Sequence, residues 1–583
     1  MQNLKRIFSQ ALSALALSLI AACGGGSGSA TATANGVVQV SAGSPIGSAK
    51  VIFTSLSDST TYSASADSSG NISIPKTGLS YPAIVQATSL DGSLTYYGYI
   101  ANSAQQTAPV NPITSLILAM ASGLNPSAIT STSQLTDAIM TTAKGNAGAI
   151  FANIFSAYNV ASTVDLLSSN FTQDHTGLDL LLDTISMQID SLGNSVLCSK
   201  INGSCKTVTA SSPNTTAIAY SAQDATALAG APLAKCFTTI SGFSLNSLTS
   251  NATLYSASFL NGGQSAAQYM SSMATTYSGL SVNFNTPLYV GKDGNGNYLF
   301  KFSIVNASTN AFITNTSMPF NLDAGGNCVL VGNQLPFAVS VSSLVLNQSR
   351  VDGTSNPNAV TNGVVTGLLF QAGGSSLIST FYQGVQVKTL SFDYCDLSAN
   401  CTHLVDMQKG ASNNGFYFAN NPVPILSYSS AGLTSASFYN GNPNPVKVTF
   451  KDAGGSQIGS ALYLKVNGRF ISDTELSAIT VPSITNATAL LGTTTDIASP
   501  AISYATSAGF VVTSATLTHG AYTGQTTGTS QMILSPLSGN ATIADTISAT
   551  TDTYRSLVLN SNIPGGGIMR TKYVWSPLCT GCV

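Results

Sequence analysis

Charged side chains are the most obvious shortage in this sequence of 583 residues. Lys, Arg, Asp and Glu make up 7% of the chain, against about 25% in ordinary soluble domains. The formal net charge is only −2, so the surface offers no strong field to attract nucleic acid or anionic lipid. Hydrophobic residues nevertheless reach 44%, whereas disordered chains are poor in them. The composition predicts folded domains with neutral polar surfaces and excludes nucleic acid as an expected partner.

The sequence also lacks a hydrophobic run long enough to span a membrane. The longest run beyond the N-terminus lies within residues 113–124, about half of the roughly 20 residues that a spanning helix needs. Residues 11–22 are mostly apolar and follow the positive pair Lys5 and Arg6, which is typical of a signal peptide. We therefore predict a signal peptide over residues 1–22.

The stretch from Ile20 to Cys23 resembles the lipobox of bacterial lipoproteins. The resemblance implies cleavage before Cys23, a diacylglyceryl group on its thiol and an acyl chain on its new amino group, which together anchor a protein stably. Residues 23–35 would then form a flexible tether that begins at the lipidated cysteine. Gly24 stands where Asp would favour the inner membrane, so the expected location is the outer membrane, on either side. An ordinary secretory signal with an incidental cysteine is the alternative.

Besides Cys23 the chain has eight cysteines, an even number that predicts full pairing in an oxidising compartment. Proximity in the sequence suggests three disulfides, Cys198 with Cys205, Cys395 with Cys401 and Cys579 with Cys582, which leaves Cys236 to pair with Cys328. Pairing of Cys236 and Cys328 with other segments is the alternative for the long-range bridge. The last pair is not expected to be a redox site, because the chain ends one residue later and leaves no helix to lower a thiol pKa. Zinc is not expected either, since these pairs have no histidines at ligand spacing.

Short alternating strands separated by turn residues occupy residues 36–110. This run resembles the transthyretin-like β-sandwich of carboxypeptidase regulatory-like domains, and the matching residues are Pro45, Ala49, Val51, Asp67, Gly70 and Ile72. Asp67 and Gly70 suit a turn, because Asp accepts bonds from backbone amides and Gly adopts positive φ. The resemblance implies a sandwich that serves as a spacer or binding module.

Apolar residues recur at intervals of three and four over residues 111–192, which predicts a helical segment that then turns into strand. Pro112 would begin the first helix and Gly123 would end it. A sandwich followed by an NPIT helix start and a DxTGxDxLLD stretch at 174–183 resembles a group of proteobacterial surface lipoproteins. That resemblance implies a location and no particular activity.

The remaining chain changes from mixed structure to strands. Residues 215–348 combine helices with long hairpins, which predicts an α+β domain similar in shape to the nuclear-transport-factor-two-like cone. Residues 351–485 and 486–583 predict two β-sandwiches of immunoglobulin or fibronectin type III kind. The expected fold class is therefore mainly β and multidomain, with a transthyretin-like sandwich, a helical segment, an α+β domain and C-terminal β-sandwiches.

Histidine, the most common general base, occurs only three times, as His175, His403 and His519. His175 is the best candidate for acid–base chemistry, because three aspartates lie near it in the sequence: Asp174, Asp179 and Asp183. The favoured interpretation is structural, with Asp174 or Thr176 capping the next helix and His175 in solvent. His403 and His519 are expected to be structural or exposed.

Local motifs for catalysis or metal binding are absent from the sequence. It has no nucleophile-elbow serine, no HExxH and no GxxxxGK. Residues 293–297 begin like a calcium loop, but Ile304 stands where a bidentate Glu is needed, and a plain hairpin turn explains them as well. We therefore predict no catalytic residues, no metal and no cofactor.

Two functions are compatible with these features. The first is an outer-membrane-anchored lipoprotein, a rod of small domains acting as a non-enzymatic binding, adhesion or spacer module for a surface protein or glycan. The lack of charge and of catalytic motifs favours it. The second is a cell-surface hydrolase with dispersed carboxylates, as in glycosidases, which requires two carboxyl groups about 5–10 Å apart in a cleft. Tyr-rich strands are expected to form sandwich cores more than a glycan platform.

Overall fold

The structure is a computed structural model. The residues that it describes are 36–75, 78–161, 163–190, 192–201, 205–209, 232–240, 242–285, 287–310, 312–351, 363–373, 380–396, 398–410, 416–418, 425–438, 444–506, 510–520, 529–533, 539–543, 545–563 and 566–575. No helix within these ranges is long and apolar enough to cross a membrane. Strands dominate and form several sheets, which confirms the mainly β class.

The first seven strands form two sheets around a shared core. They are β1 (Val37–Val40), β2 (Lys50–Ser55), β3 (Thr61–Ser65), β4 (Asn71–Ser73), β5 (Ala83–Thr88), β6 (Thr95–Ile100) and β7 (Thr107–Val110). One sheet has the order β4-β1-β7 and the other β3-β2-β5-β6. At the turn before β4, Asp67 Oδ1 accepts from the amides of Ser69 and Asn71, and Gly70 has φ +73°. This turn is the one predicted from the residue types.

A helical segment packs on the second of these sheets. It consists of α1 (Pro112–Ser122), α2 (Asp137–Ala157), α3 (Gly177–Thr184), the 3-10 helices Pro126–Ala128 and Thr132–Leu135, and a sheet of β8 (Ile185–Ile189), β9 (Ser195–Ser199) and β10 (Cys205–Val208). Asn111 caps α1 by accepting from the amides of Ile113 and Thr114, and Gly123 ends it with φ +70°. The core of the helices includes Ile84 and Tyr97 of the sandwich. The segment therefore shares a core with the preceding strands.

The α+β region places three helices against an antiparallel sheet. Its elements are α4 (Pro232–Ile240), α5 (Leu245–Ser250), a 3-10 helix (Ala252–Leu254), α6 (Ala266–Thr276), β11 (Val282–Phe284), β12 (Leu288–Lys292), β13 (Tyr298–Asn306), β14 (Phe312–Leu322) and β15 (Cys328–Leu330). The strand order is β11-β13-β14-β15, with β12 also paired to β13. Aromatic residues fill the core, including Phe237 of α4 and Phe300 of β13. Helices and hairpins therefore occur in the predicted order.

The C-terminal half consists mostly of strands. They are β16 (Val339–Arg350), β17 (Gly363–Ala372), β18 (Phe381–Tyr382), β19 (Val385–Gln386), β20 (Thr389–Cys395), β21 (Cys401–Lys409), β22 (Phe416–Phe418), β23 (Ile425–Ser427), β24 (Val446–Lys451), β25 (Leu462–Leu464), β26 (Val466–Asn467), β27 (Ser483–Ile484), β28 (Ile497–Ala498), β29 (Ala501–Ala505), β30 (Val511–Gly520), β31 (Thr529–Ile533), β32 (Gly539–Thr542), β33 (Thr546–Ile547), β34 (Tyr554–Asn562) and β35 (Ile568–Trp575). Three short helices interrupt them: α7 (Ser435–Phe438), α8 (Asp473–Ala478) and α9 (Ala487–Leu491).

One long sheet joins the two predicted C-terminal sandwiches. It has eight strands in the order β23-β17-β16-β35-β34-β30-β31, with β26 also on β16. β16 and β35 are parallel neighbours, in register from Leu344 opposite Ile568 to Arg350 opposite Val574. The sheet therefore crosses the boundary expected near residue 485, and β16 begins inside the predicted 215–348 domain. The physical reason is a strand pairing between residues far apart in the chain, which no local pattern reports.

Each end of the long sheet covers a different core. At one end, Phe370 of β17 packs on Phe392 of the sheet β22-β21-β20-β24-β25, with ring centroids 4.9 Å apart. At the other end, Leu517 and Leu557 share a core with Tyr504 of the sheet β27-β29-β32. All described residues belong to one compact unit, Gly36–Val583. The described chain is therefore one packed unit, which differs from the expected rod of separate small domains.

Candidate functional site

A tight turn before α3 positions the candidate histidine. Asp174 Oδ1 accepts from the Thr176 amide at 3.0 Å and from the Thr176 hydroxyl at 2.7 Å. His175 has φ +59°, a left-handed conformation that a non-glycine residue adopts rarely. Its amide donates to Asp179 Oδ2 at 2.8 Å. Thr176 occupies the N-cap position, but neither its side chain nor that of Asp174 caps an amide of α3; Asp174 instead fixes the turn before the helix.

His175 is not simply a solvated neighbour of that cap, as the favoured interpretation had it. Its Nδ1 lies 2.7 Å from Asp183 Oδ2 and 3.8 Å from Asp179 Oδ2. The two carboxylates project from the same helical face, because they are four residues apart. Asp179 and Asp183 are 0% and 1% exposed. The structure therefore assembles a buried His–Asp–Asp cluster from the residues that the sequence placed close together.

Burial controls the electrostatics of this cluster. Desolvation raises the pKa of Asp179 to about 7, and the charge of Asp183 adds to the rise. Desolvation also raises the pKa of Asp183 to about 6, against the opposing bond from His175. For His175, desolvation lowers the pKa, but the bond to Asp183 outweighs it and the net pKa is raised. Desolvation lowers the pKa of nearby Lys200 to about 8, and the charge of Asp183 opposes this shift.

Distant segments enclose the cluster. The His175 ring stacks on Phe237 of α4, with centroids 3.6 Å apart and planes 13° apart. A Cβ on Gly43, which has φ +90°, would lie 2.2 Å from Asp183 Oδ1, so only glycine fits there. His175 also lines a cavity of about 240 Å³ together with Ser44 and Asn285. Sequence reasoning missed these neighbours, because no local signal connects them to α3.

A larger cavity of about 600 Å³ lies between the N-terminal sandwich, the helical segment and the α8 region. Its lining combines aromatic and aliphatic side chains with amides: Tyr97, Met187, Phe510, Gln86, Asn125 and Gln188. Arg469 and Glu475 at its edge form a buried bidentate ion pair, with N–O distances of 2.8 and 2.6 Å. The lining comes from residues 86 to 510, so the sequence contained no motif for it.

The other two histidines also contact aspartates. His403 Nδ1 lies 3.1 Å from Asp393 Oδ1, and its side chain is 55% exposed. His519 near the end of β30 is buried, with its Nδ1 2.8 Å from Asp552 Oδ2 and its Nε2 3.3 Å from Asp545 Oδ2. Neither histidine lines the two cavities described above. His403 therefore links the neighbouring strands β20 and β21, and His519 links β30 to the loop before β34.

The loop at residues 293–297 is a hairpin turn between β12 and β13. Asp293 Oδ1 accepts from the amides of Asn295 and Asn297, each at 2.9 Å. Asn297 Nδ2 donates to Asp293 Oδ2 at 3.0 Å. The side-chain oxygens of Asp293 therefore stabilise the turn itself, as the plain-turn interpretation expects.

Three disulfides lie within the described residues: Cys198–Cys205, Cys236–Cys328 and Cys395–Cys401. Each of these three bridges joins two cysteines whose pairing was expected from the sequence. The short pairs cross neighbouring strands, whereas Cys236–Cys328 joins α4 to β15 with a Cα–Cα distance of 5.0 Å. Cys23, Cys579 and Cys582, with their predicted roles, lie outside the described residues.

Comparison with known proteins identifies no family. No protein-family model matches the chain, and no curated protein is similar to it. Among solved structures, the chain is similar to a tetra-tandem repeat in the extending region of a large adhesion protein (14% identity, TM-score 0.13), covering 49% of this chain and 64% of that chain.

Two further solved structures show similar values. One concerns host cell surface retention of a 1.5-MDa bacterial ice-binding adhesin (9% identity, TM-score 0.14), covering 51% of this chain and 97% of that chain. The other contains the chicken CNTN1 FN1–FN3 domains (8% identity, TM-score 0.12), covering 48% and 75%. TM-scores this low carry no functional argument, so function is argued from the described geometry.

Proposed function

We propose that this protein is a lipid-anchored outer-membrane protein that binds a neutral oligosaccharide in the 600 Å³ cavity. The cavity is the single observation that carries the proposal. Ligand pockets are typically about 300–1,000 Å³, with mostly apolar walls and a few polar groups that orient the ligand. The cavity has this size and this mixture of side chains.

The chemistry of the lining favours a neutral, hydroxyl-rich ligand. Tyr97 and Phe510 are aromatic, and aromatic faces pack on the apolar faces of sugars. The amide of Gln86 can both donate to and accept from hydroxyl groups, whereas the Asn125 amide is bonded to Tyr97, Ser127 and Asp190 and shapes the wall. Arg469 and Glu475 compensate each other, so the edge of the cavity has no uncompensated charge from this pair. A strongly charged ligand would therefore gain little there.

The hydrolase alternative has less support from the geometry. A glycosidase needs two carboxyl groups facing its substrate. Among the described residues that line the cavity, Glu475 is the one carboxylate, and Arg469 holds both of its oxygens. Asp179 and Asp183 lie close to each other but are closed off from solvent. Non-enzymatic binding is therefore the function that the described sites favour.

Anchoring belongs to the same proposal. The lipobox-like stretch that ends at Cys23 and the tether over residues 23–35 support it. A tethered receptor would present its cavity close to the membrane, and its few charges would keep interaction with anionic lipid weak.

The test is a binding experiment with a variant that fills the cavity. Ala478 on α8 lines the cavity and is exposed, so Ala478→Trp should occupy space without disturbing a core. Its neighbour Ser477 is exposed outside the lining and provides Ser477→Trp as the matched control. Full-length protein in a detergent without a sugar headgroup is probed with a panel of neutral oligosaccharides. We expect binding by the wild type and by Ser477→Trp, and at least about tenfold weaker binding by Ala478→Trp, equivalent to about 1.4 kcal/mol.

Two results would contradict this function. The first is that the wild type binds no neutral oligosaccharide in the panel. The second is that Ala478→Trp binds as tightly as Ser477→Trp, because the ligand would then contact another surface.

A further inference from the structure

The buried cluster at α3 has the composition of a metal site. His175, Asp179 and Asp183 each supply one ligand atom, and these atoms all lie within 4.8 Å of one another. The spacing of four residues places Asp179 and Asp183 on one face of α3, and the turn before the helix brings the His175 side chain beside them. Imidazole nitrogen and carboxylate oxygen are both ordinary ligands of zinc.

A second observation indicates that this cluster could bind a cation. Asp179 Oδ1 and Asp183 Oδ1 find no hydrogen-bond partner among the residues that the structure describes, and these two aspartates are 0% and 1% exposed. Buried carboxylate oxygens are normally paired with donors or coordinate a metal. Lys200 and Asp183 interact through their charges, but Lys200 donates no hydrogen bond to Asp183 Oδ1. The protein alone therefore leaves two buried acceptors without a partner.

We propose that His175, Asp179 and Asp183 bind a divalent transition-metal ion, with Zn²⁺ as the best fit. One nitrogen and two carboxylates suit Zn²⁺, whereas Ca²⁺ takes six to eight oxygen ligands. Two carboxylates balance the charge of a divalent ion. Three protein ligands leave a fourth position for water.

The surroundings provide access and rigidity. The cavity of about 240 Å³ reaches the cluster at His175, whose side chain is 26% exposed. Gly43 allows the backbone of the first sandwich to approach Asp183, and Phe237 holds the imidazole plane by stacking. Metal ligands are typically oriented in this way by their outer neighbours. All three ligands come from residues 175–183, and the site would be independent of oligosaccharide binding.

The experiment measures Zn²⁺ binding to the full-length protein after treatment with a chelator and without reductant. Calorimetry should show one ion per chain. His175→Gln should bind at least about 100-fold more weakly, since it removes a ligand and loss of an outer neighbour alone costs 10–100-fold. His403→Gln removes an exposed histidine that lies beside Asp393, and this control should bind as the wild type does.

A spectroscopic measurement on the wild type covers the case in which His175→Gln fails to fold. Co²⁺ in place of Zn²⁺ should give visible d–d bands without the intense near-ultraviolet bands of a thiolate. Thiolate bands would assign the ion to cysteine and would overturn the proposal. So would the absence of stoichiometric Zn²⁺ binding, or equal binding by His175→Gln and the wild type.

Discussion

At the scale of single residues, Asp91 joins distant parts of the chain. It is buried in the loop between β5 and β6 and accepts from Lys301 Nζ at 2.5 Å and from Asn315 Nδ2 at 2.7 Å. Its backbone carbonyl accepts from Asn562 Nδ2 at 2.6 Å. One loop of the first sandwich thus contacts both the α+β sheet and β34. Such a buried carboxylate is stable only because its partners are complete.

This arrangement predicts a loss of stability in acid. Burial alone would raise the pKa of Asp91, but Lys301 and neighbouring hydroxyl donors outweigh burial and hold the pKa well below its usual range. A carboxylate with a depressed folded pKa contributes stability above its unfolded pKa of about 4, and this contribution is lost as the pH falls below that value. Asp91→Asn should therefore cost about 3 kcal/mol near pH 7 and progressively less towards pH 3.

The measurement is denaturant unfolding of the wild type and Asp91→Asn at several pH values. Asp452→Asn, in the exposed turn after β24, is the control and should change the free energy of unfolding by less than about 0.5 kcal/mol. A difference between wild type and Asp91→Asn that does not shrink in acid would show that the Asp91–Lys301 pair is not the source of the stability.

At the scale of elements, the disulfide between α4 and β15 is the main covalent constraint among the described residues. Its cysteines are 92 residues apart, whereas those of the other two bridges are seven and six apart. The short bridges connect strands that hydrogen bonds already hold together. The long bridge instead fastens a helix to the edge strand β15 of the α+β sheet.

We predict different costs for removing these bridges. In the chain-entropy model, a loop of this length contributes about 4.6 kcal/mol and a loop of seven residues about 2.4 kcal/mol. The double variant Cys236→Ala/Cys328→Ala should therefore lose about 2 kcal/mol more than Cys198→Ala/Cys205→Ala. Unfolding of both variants under non-reducing conditions checks this order. Equal losses would mean that closure of the long loop does not determine the stability of the region.

At the scale of the whole molecule, the described chain folds back on itself. The pairing of β16 with β35 and the contacts of Asp91 connect segments that are far apart in sequence. This architecture suits a receptor with a cavity between its parts more than an extended spacer. Its proposed position at the membrane depends on Cys23 alone.

Cys23→Ser is expected to abolish the anchor, because it removes the thiol that the lipobox-like stretch would lipidate, and it changes no residue of the described unit Gly36–Val583. The variant should not incorporate labelled palmitate and should no longer partition into the detergent phase. Cys395→Ser provides the control, since it removes a different cysteine. Undiminished labelling of Cys23→Ser would contradict the lipidation proposal.

The sequence by itself determined the features that depend on neighbouring residues. Asp67 and Gly70 form the expected turn, and α1 runs from Pro112 to the residue before Gly123, because capping and turn chemistry act within a few residues. The mainly β class and the pairing of the described cysteines were also within reach of local patterns and proximity. The sequence also placed Asp179 and Asp183 near His175.

Only the tertiary structure decided where those features meet. The long sheet depends on the pairing of β16 with β35, and the 600 Å³ cavity depends on walls from three regions. The candidate metal site at the start of α3 also depends on distant segments, because Gly43 packs against Asp183 and Phe237 stacks on His175. Burial and long-range pairing arise from the packing of the whole chain, so no window of local sequence contains them.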